Sequence, residues 1–183
     1  FQHYLQEGSE QLRIFLDARY DSFSLTQKAE LNFSHQDVHV GEAHLTGMID
    51  VADIDTNAKT MTVTDYKTGK PIKHGVTKTD YDKVKLHKYT QQLLFYKLMV
   101  EQSRDYGSYT VTNGVLSFVE PSPEGETYQT MISYEPEALQ RFQKLIDVVW
   151  QHIITVNLPD TSQYQPTYAG ILAFEQDLLD GVI

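Results

Sequence analysis

An aspartate and a lysine two residues apart, Asp65 and Lys67, end a β-branched run in Thr64-Asp65-Tyr66-Lys67-Thr68-Gly69-Lys70-Pro71, and no other feature constrains this chain as much. Strand side chains alternate with period two, so both groups project from one face, which then carries a metal-binding charge and a cation. Upstream, residues 44–54 read as a second strand, and Asp55-Thr56-Asn57-Ala58-Lys59 supplies the polar turn of a hairpin. Pairing Ile54 with Thr60 sets Asp50 opposite Thr64, one step from Asp65, and a single bulge then brings the two aspartates face to face. Carboxylates that close repel each other unless a cation lies between them or one keeps a proton. A hard divalent ion with oxygen ligands is the natural occupant.

Helical spacing resumes near Tyr81-Asp82, where the acidic residue is expected to cap the start. Leu86, Tyr89, Leu93, Tyr96 and Val100 form its apolar stripe, thickened later by Leu94, Phe95, Leu98 and Met99. Gln92 and Tyr96 stand one turn apart on one side of this helix. Taken alone, both also read as ordinary residues at the edge of a core. Residues 70–82 show no clear period and read as a polar loop beside the site.

The ordered set Gly47-Met48-Ile49-Asp50, Val63-Thr64-Asp65-Tyr66-Lys67-Thr68-Gly69-Lys70, then Gln92 and Tyr96, resembles the RecB-type branch of the PD-(D/E)XK nuclease superfamily. Within that branch it is similar to the nuclease domain at the C-terminal end of UvrD/Rep-type helicases, over roughly residues 24–120. The resemblance implies an α/β fold with a restriction-endonuclease-like core, a mixed central β-sheet flanked by helices. It implies Mg²⁺- or Mn²⁺-dependent hydrolysis of DNA, as an exonuclease of repair or recombination attached to a helicase. Asp50, Asp65, Lys67, Gln92 and Tyr96 would be the catalytic set, with Asp50, Asp65, the backbone carbonyl of Tyr66 and, in support, Glu30 as metal ligands. Glu30 reads equally as an exposed strand residue.

One family feature has no match. Members of this branch place a histidine or acid on a helix well before the strand glutamate, and His3, Glu7 and Glu10 lie close to Glu30 without the surrounding pattern. The expectation is a C-terminal piece of a longer helicase/nuclease chain, with that ligand before Phe1. The other reading is a nuclease-like domain that no longer cuts and serves a helicase complex as a DNA-binding or scaffolding module.

The chain has 183 residues, most simply one domain, with residues 1–22 as an N-terminal helical arm. No apolar run approaches the roughly 20 residues needed to span a bilayer, and no signal peptide opens the chain, so it reads as a cytoplasmic protein without membrane attachment. It holds no cysteine, which excludes disulfides, thiolate chemistry and the cysteine-ligated iron–sulfur cluster that several relatives carry. A net charge of −10 argues against indiscriminate nucleic-acid binding, yet residues 67–97 carry eight lysines against two acids. Lys70, Lys73, Lys85 and Lys88 of that strip are the expected DNA contacts; a solvated helix flank is the plainer account. No Gly-x₄-Gly-Lys-[Ser/Thr] loop or Gly-x-Ser-x-Gly elbow is present.

The remaining pattern predicts a helix over residues 2–20, a strand over 25–33, a polar connection over 34–42 and strands over 109–119 and 127–134. A helix follows over 135–153, opened by Pro136, then an irregular stretch and a short helix over 171–179.

Overall fold

The computed structural model describes residues 2–72 and 79–183. Its centre is a five-stranded sheet in the order β1-β4-β5-β6-β7, built from β1 (Gln27–Asn32), β4 (Met48–Asp55), β5 (Thr60–Lys67), β6 (Thr110–Phe118) and β7 (Tyr128–Ile132). The β5–β6 pair is parallel and the others are antiparallel, so the sheet is mixed. Parallel neighbours need a crossover, and the 22-residue helix α2 (Asp80–Glu101) supplies it. Helices α3 (Pro136–Ile154) and α4 (Tyr168–Asp180) pack beside α2, and α1 (Gln2–Arg19) precedes the sheet. The α/β sheet flanked by helices agrees with the sequence expectation.

The buried face of the hairpin β4–β5 explains where the site lies. Ile54 pairs with Met61 and Ala52 with Val63, and these four side chains enter the main core with Leu93, Leu98 and Met99 of α2. The next rung of the same face carries Asp50 and Asp65. An apolar ladder thus ends in two carboxylates.

The register differs by one residue from the expected one. Asp55, not Ile54, pairs with Thr60, and continuing that register past its last pair, Val51–Thr64, sets Asp50 across from Asp65 without a bulge. The turn is tighter than the sequence suggested because Asp55 Oδ1 accepts hydrogen bonds from the backbone N–H groups of Asn57 (2.9 Å) and Ala58 (2.8 Å), and Lys59 closes it at φ +56°.

Two further boundaries move. The expected strand over 44–54 is broken at Thr46-Gly47: β3 (Ala43–Leu45) pairs with β2 (Val38–Val40) in a separate two-stranded sheet, inside the stretch read as a polar connection. The N-cap of α2 is Thr79, whose hydroxyl accepts from the N–H of Asp82, rather than an acidic residue. Helix α1 is attached through one buried residue, Phe15, packed edge-on against Tyr66 at 5.9 Å between ring centroids. Tyr4, Leu5 and Leu12 of α1 are exposed. No described helix is long and apolar enough to cross a membrane.

Candidate active site

Alternation along β5 turns Met61, Val63 and Asp65 toward α2, and Asp65 is only 2% exposed. The polar side of α2 meets it there. Gln92 Nε2 donates to Asp65 Oδ1 at 2.7 Å and the Tyr96 hydroxyl donates to the same oxygen at 3.0 Å. The Gln92 amide also donates to the Tyr96 oxygen at 2.8 Å, while its carbonyl accepts from Lys67 Nζ at 2.7 Å. Four of the five expected catalytic side chains therefore form one closed network.

The other carboxylate oxygen is held differently. Asp65 Oδ2 is buried and paired with Lys67 Nζ at 2.5 Å. Burial of the carboxyl and the charge of Asp50 raise the Asp65 pKa above the ordinary aspartate value, against the opposing pull of Lys67 and of the Tyr96 hydroxyl. Tyr96 is pushed well above the usual phenol range, by burial first and then by the charge of Asp65, and so stays a hydrogen-bond donor.

Asp50, half-buried, accepts a hydrogen bond from the backbone N–H of Tyr66 at 2.8 Å. The β4–β5 ladder ends at Val51–Thr64, and the Asp50 side chain takes over the next ladder position. A strand residue directs its N–H and C=O to the same side. The Tyr66 carbonyl therefore faces the Asp50 side of β5, whereas the Lys67 carbonyl faces β6 and accepts from Val119 at 2.9 Å.

Glu30 occupies the β1 position between the Ala29–Val51 and Leu31–Ile49 pairs, opposite Asp50 of the neighbouring β4. It is exposed and has φ +53°, a local break in the strand. Its carboxylate is not part of a tight three-ligand group with Asp50 and Asp65. On α1, His3 faces Glu7 at 3.8 Å and Glu10 binds Arg13, so these acids are engaged along their own helix.

The basic strip is thinner than its lysine count. Lys97 is buried, bound to Glu101 and to the Val111 carbonyl, and belongs to the core. Lys70 and Lys88 are exposed and Lys85 half-buried; Lys73 lies outside the described residues. Lys85 stands close to Gly69, where an added Cβ would meet its Nζ at 3.4 Å. A cleft of about 470 Å³ opens beside Lys70, lined also by Gln11, Pro71, Glu120 and Pro121.

Tyr89 is a site residue that the sequence reading assigned only to the apolar stripe. Lys67 Nζ sits 4.1 Å from the centre of its ring, a cation–π contact that helps fix the ammonium. Its position three residues before Gln92, on the same side of α2, was the available signal.

The donor set suits a hard divalent cation: two carboxylates brought together by adjacent strands, and a carbonyl turned toward them. Asp50 and Asp65 together carry one more negative charge than Lys67 neutralises.

No curated protein sequence matches the chain. The solved structure of SSO0001 is similar at 14% identity and a TM-score of 0.40, covering 88% of this chain and 64% of that one. A family model for the PD-(D/E)XK nuclease superfamily matches residues 2–165. With that match spanning most of its length, the chain belongs to the PD-(D/E)XK nuclease superfamily.

Proposed function

We propose that this domain hydrolyses DNA phosphodiester bonds with Mg²⁺ or Mn²⁺, as a RecB-like exonuclease of repair or recombination working with helicase domains of a longer parent chain or of a partner. The observation that carries this reading is the pair of carboxylates, Asp50 and Asp65, that the β4–β5 register brings next to each other, with the buried Asp65 against a lysine. A structural ion pair needs no second carboxylate on the same rung.

Asp50, Asp65 and the Tyr66 carbonyl would hold the ion, with Glu30 as a supporting ligand from β1. When bound, the ion supplies a Lewis acid for a phosphoryl oxygen and makes a water molecule acidic near neutral pH. Gln92 and Tyr96 keep Asp65 Oδ1 fixed, so Oδ2, now paired with Lys67, is the oxygen that would turn to the ion. Lys67, held by Gln92 and the Tyr89 ring, places its charge where a nonbridging oxygen gains negative charge in the transition state. Gly69 lets the backbone approach the nucleic acid, and Lys70, Lys73, Lys85 and Lys88 contact phosphates along the strand. The exposed apolar residues of α1 suit an arm that docks on a neighbouring domain.

The test is cleavage of end-labelled single- and double-stranded DNA with Mg²⁺ or Mn²⁺, by this domain and by the longer parent. Metal-dependent cutting that disappears in Asp65→Asn supports the proposal. DNA binding without cutting in both proteins, unchanged by that substitution, would overturn it in favour of a scaffolding module.

A further inference from the structure

A second group of ligand-bearing side chains lies on the small β2–β3 sheet, away from the Asp50–Asp65 rung. The hairpin pairs Val38 with Leu45, His39 with His44 and Val40 with Ala43. Val38, Val40, Ala43 and Leu45 are all buried in the main core. Alternation therefore forces His39 and His44 onto the outer face, directly across the ladder from each other. Their rings stack, with centroids 4.8 Å apart and 17° between planes. Asp37, two residues before His39, brings its Oδ1 to 3.1 Å from His39 Nε2. It does so from φ +54°, a conformation that aspartate adopts more readily than most residues.

One ligand atom from each of the three lies within 4.8 Å of the others, and among the described residues no other trio of histidine and acidic side chains does this. Zinc held tetrahedrally at about 2.0–2.1 Å requires donors about 3.3–3.5 Å apart, so small side-chain rotations suffice. The backbone beneath is fixed. The inward residues pin the register, and Gly41 turns the hairpin at φ +57° where an added Cβ would meet Asp147 Oδ1 at 2.3 Å.

We propose that Asp37, His39 and His44 form a second metal site, which takes a borderline transition-metal ion such as Zn²⁺ and staples the β2–β3 hairpin to the turn before it. Two imidazoles and one carboxylate suit Zn²⁺, Ni²⁺ or Cu²⁺, whereas the all-oxygen set at Asp50 and Asp65 suits Mg²⁺ or Mn²⁺. Three protein ligands leave a fourth position for water. The two sites would thus sort metals by ligand chemistry, and neither depends on the other.

The experiment is titration of the full chain with Zn²⁺ against a chromogenic chelator, together with thermal unfolding, in the wild type and in Asp65→Asn, His39→Gln, His44→Gln and the double histidine variant. The expected result is one tight Zn²⁺ equivalent that survives Asp65→Asn and millimolar Mg²⁺. Either histidine substitution should weaken it at least tenfold, and Zn²⁺ should raise the unfolding temperature only where both histidines are present. The histidines are exposed, so the variants should keep the wild-type circular dichroism and melting point without metal. Zn²⁺ binding of equal strength in the double variant, loss of the tight equivalent in Asp65→Asn, or its displacement by Mg²⁺ would each overturn the proposal.

Discussion

Helix α2 lies against two buried carboxylates, Asp65 of β5 and Glu175 of α4, and they are held in opposite ways. Glu175 has only neutral and cationic partners: His87 Nε2 lies 2.7 Å from Oε1, Gln91 donates to the same oxygen at 2.8 Å, and Arg141 approaches Oε2 at 3.9 Å. Burial works against its charged form, but His87, Gln91 and Arg141 together bring its pKa below the usual glutamate value. At Asp65 burial wins despite Lys67, with Asp50 adding to it, and the pKa rises. Glu175 joins α4 to α2 and is satisfied as it stands, whereas Asp65 sits with a second carboxylate in a state that an added cation would relieve. The difference separates an acid that joins two helices from the one proposed as a metal ligand.

The largest effect expected from breaking this contrast is on cleavage. Asp65→Asn should lower phosphodiester hydrolysis by more than about 100-fold, because loss of a direct ligand should exceed the 10–100-fold typical of its supporting partners. The same substitution removes the like charge facing Asp50 and also the partner of Lys67, two opposing effects, so the metal-free fold should stay close to wild-type stability. Denaturant unfolding and a nuclease assay on one preparation check both. Glu175→Ala should do the reverse, keeping the rate per folded molecule and losing about 1–3 kcal/mol of stability, because His87 and Gln91 are left without their acceptor. A variant at Glu175 that abolished cleavage without loss of stability would erase the distinction.

The same contrast predicts opposite slopes of stability with pH. For Asp65 the folded pKa is raised, so between the ordinary aspartate value and that raised value the native state binds more protons than the unfolded chain. Stability from this group therefore falls as pH rises through that window. For Glu175 the folded pKa is lowered; its contribution is complete above the ordinary glutamate value and is lost as pH falls through the lowered one. Urea unfolding across a pH series should show the upper decline flattened in Asp65→Asn and the lower rise flattened in Glu175→Gln. Saturating Mg²⁺ should also flatten the upper decline in the wild type if it binds the ionised Asp65.

These two acids also mark what the sequence discloses. Asp65 and Lys67 are legible because period-two alternation is local, and Gln92 and Tyr96 because a helical turn is local too. The face-to-face placement of Asp50 was nearly legible. The missing step was the Asp55 side chain binding the turn N–H groups, which shortens the loop by one residue and removes the need for a bulge. The β2 strand escaped notice because three residues give too short a period to read, although Val-His-Val and Ala-His-Leu flank Gly41-Glu42 symmetrically. Glu175 could not be assigned at all: its partners lie 88 and 84 residues away, and nothing in the local pattern of α4 points to them.

The smallest effect tests how the Asp65 network divides its labour. Tyr96→Phe removes one of two donors to Asp65 Oδ1 and keeps the aromatic packing, while Gln92 Nε2 still bonds that oxygen at 2.7 Å. A neutral donor to a charged acceptor contributes about 1.5–3 kcal/mol at most, and here the second donor remains. Cleavage should fall about tenfold or less, with metal affinity changed by a similar factor. Asp65 should also hold its proton to higher pH, since the Tyr96 hydrogen bond favours the ionised carboxylate. The pH at which cleavage switches on should therefore move upward in Tyr96→Phe and stay in place in a variant of Glu175. An unmoved profile with reduced rate would mean that Tyr96 acts on the substrate rather than on Asp65.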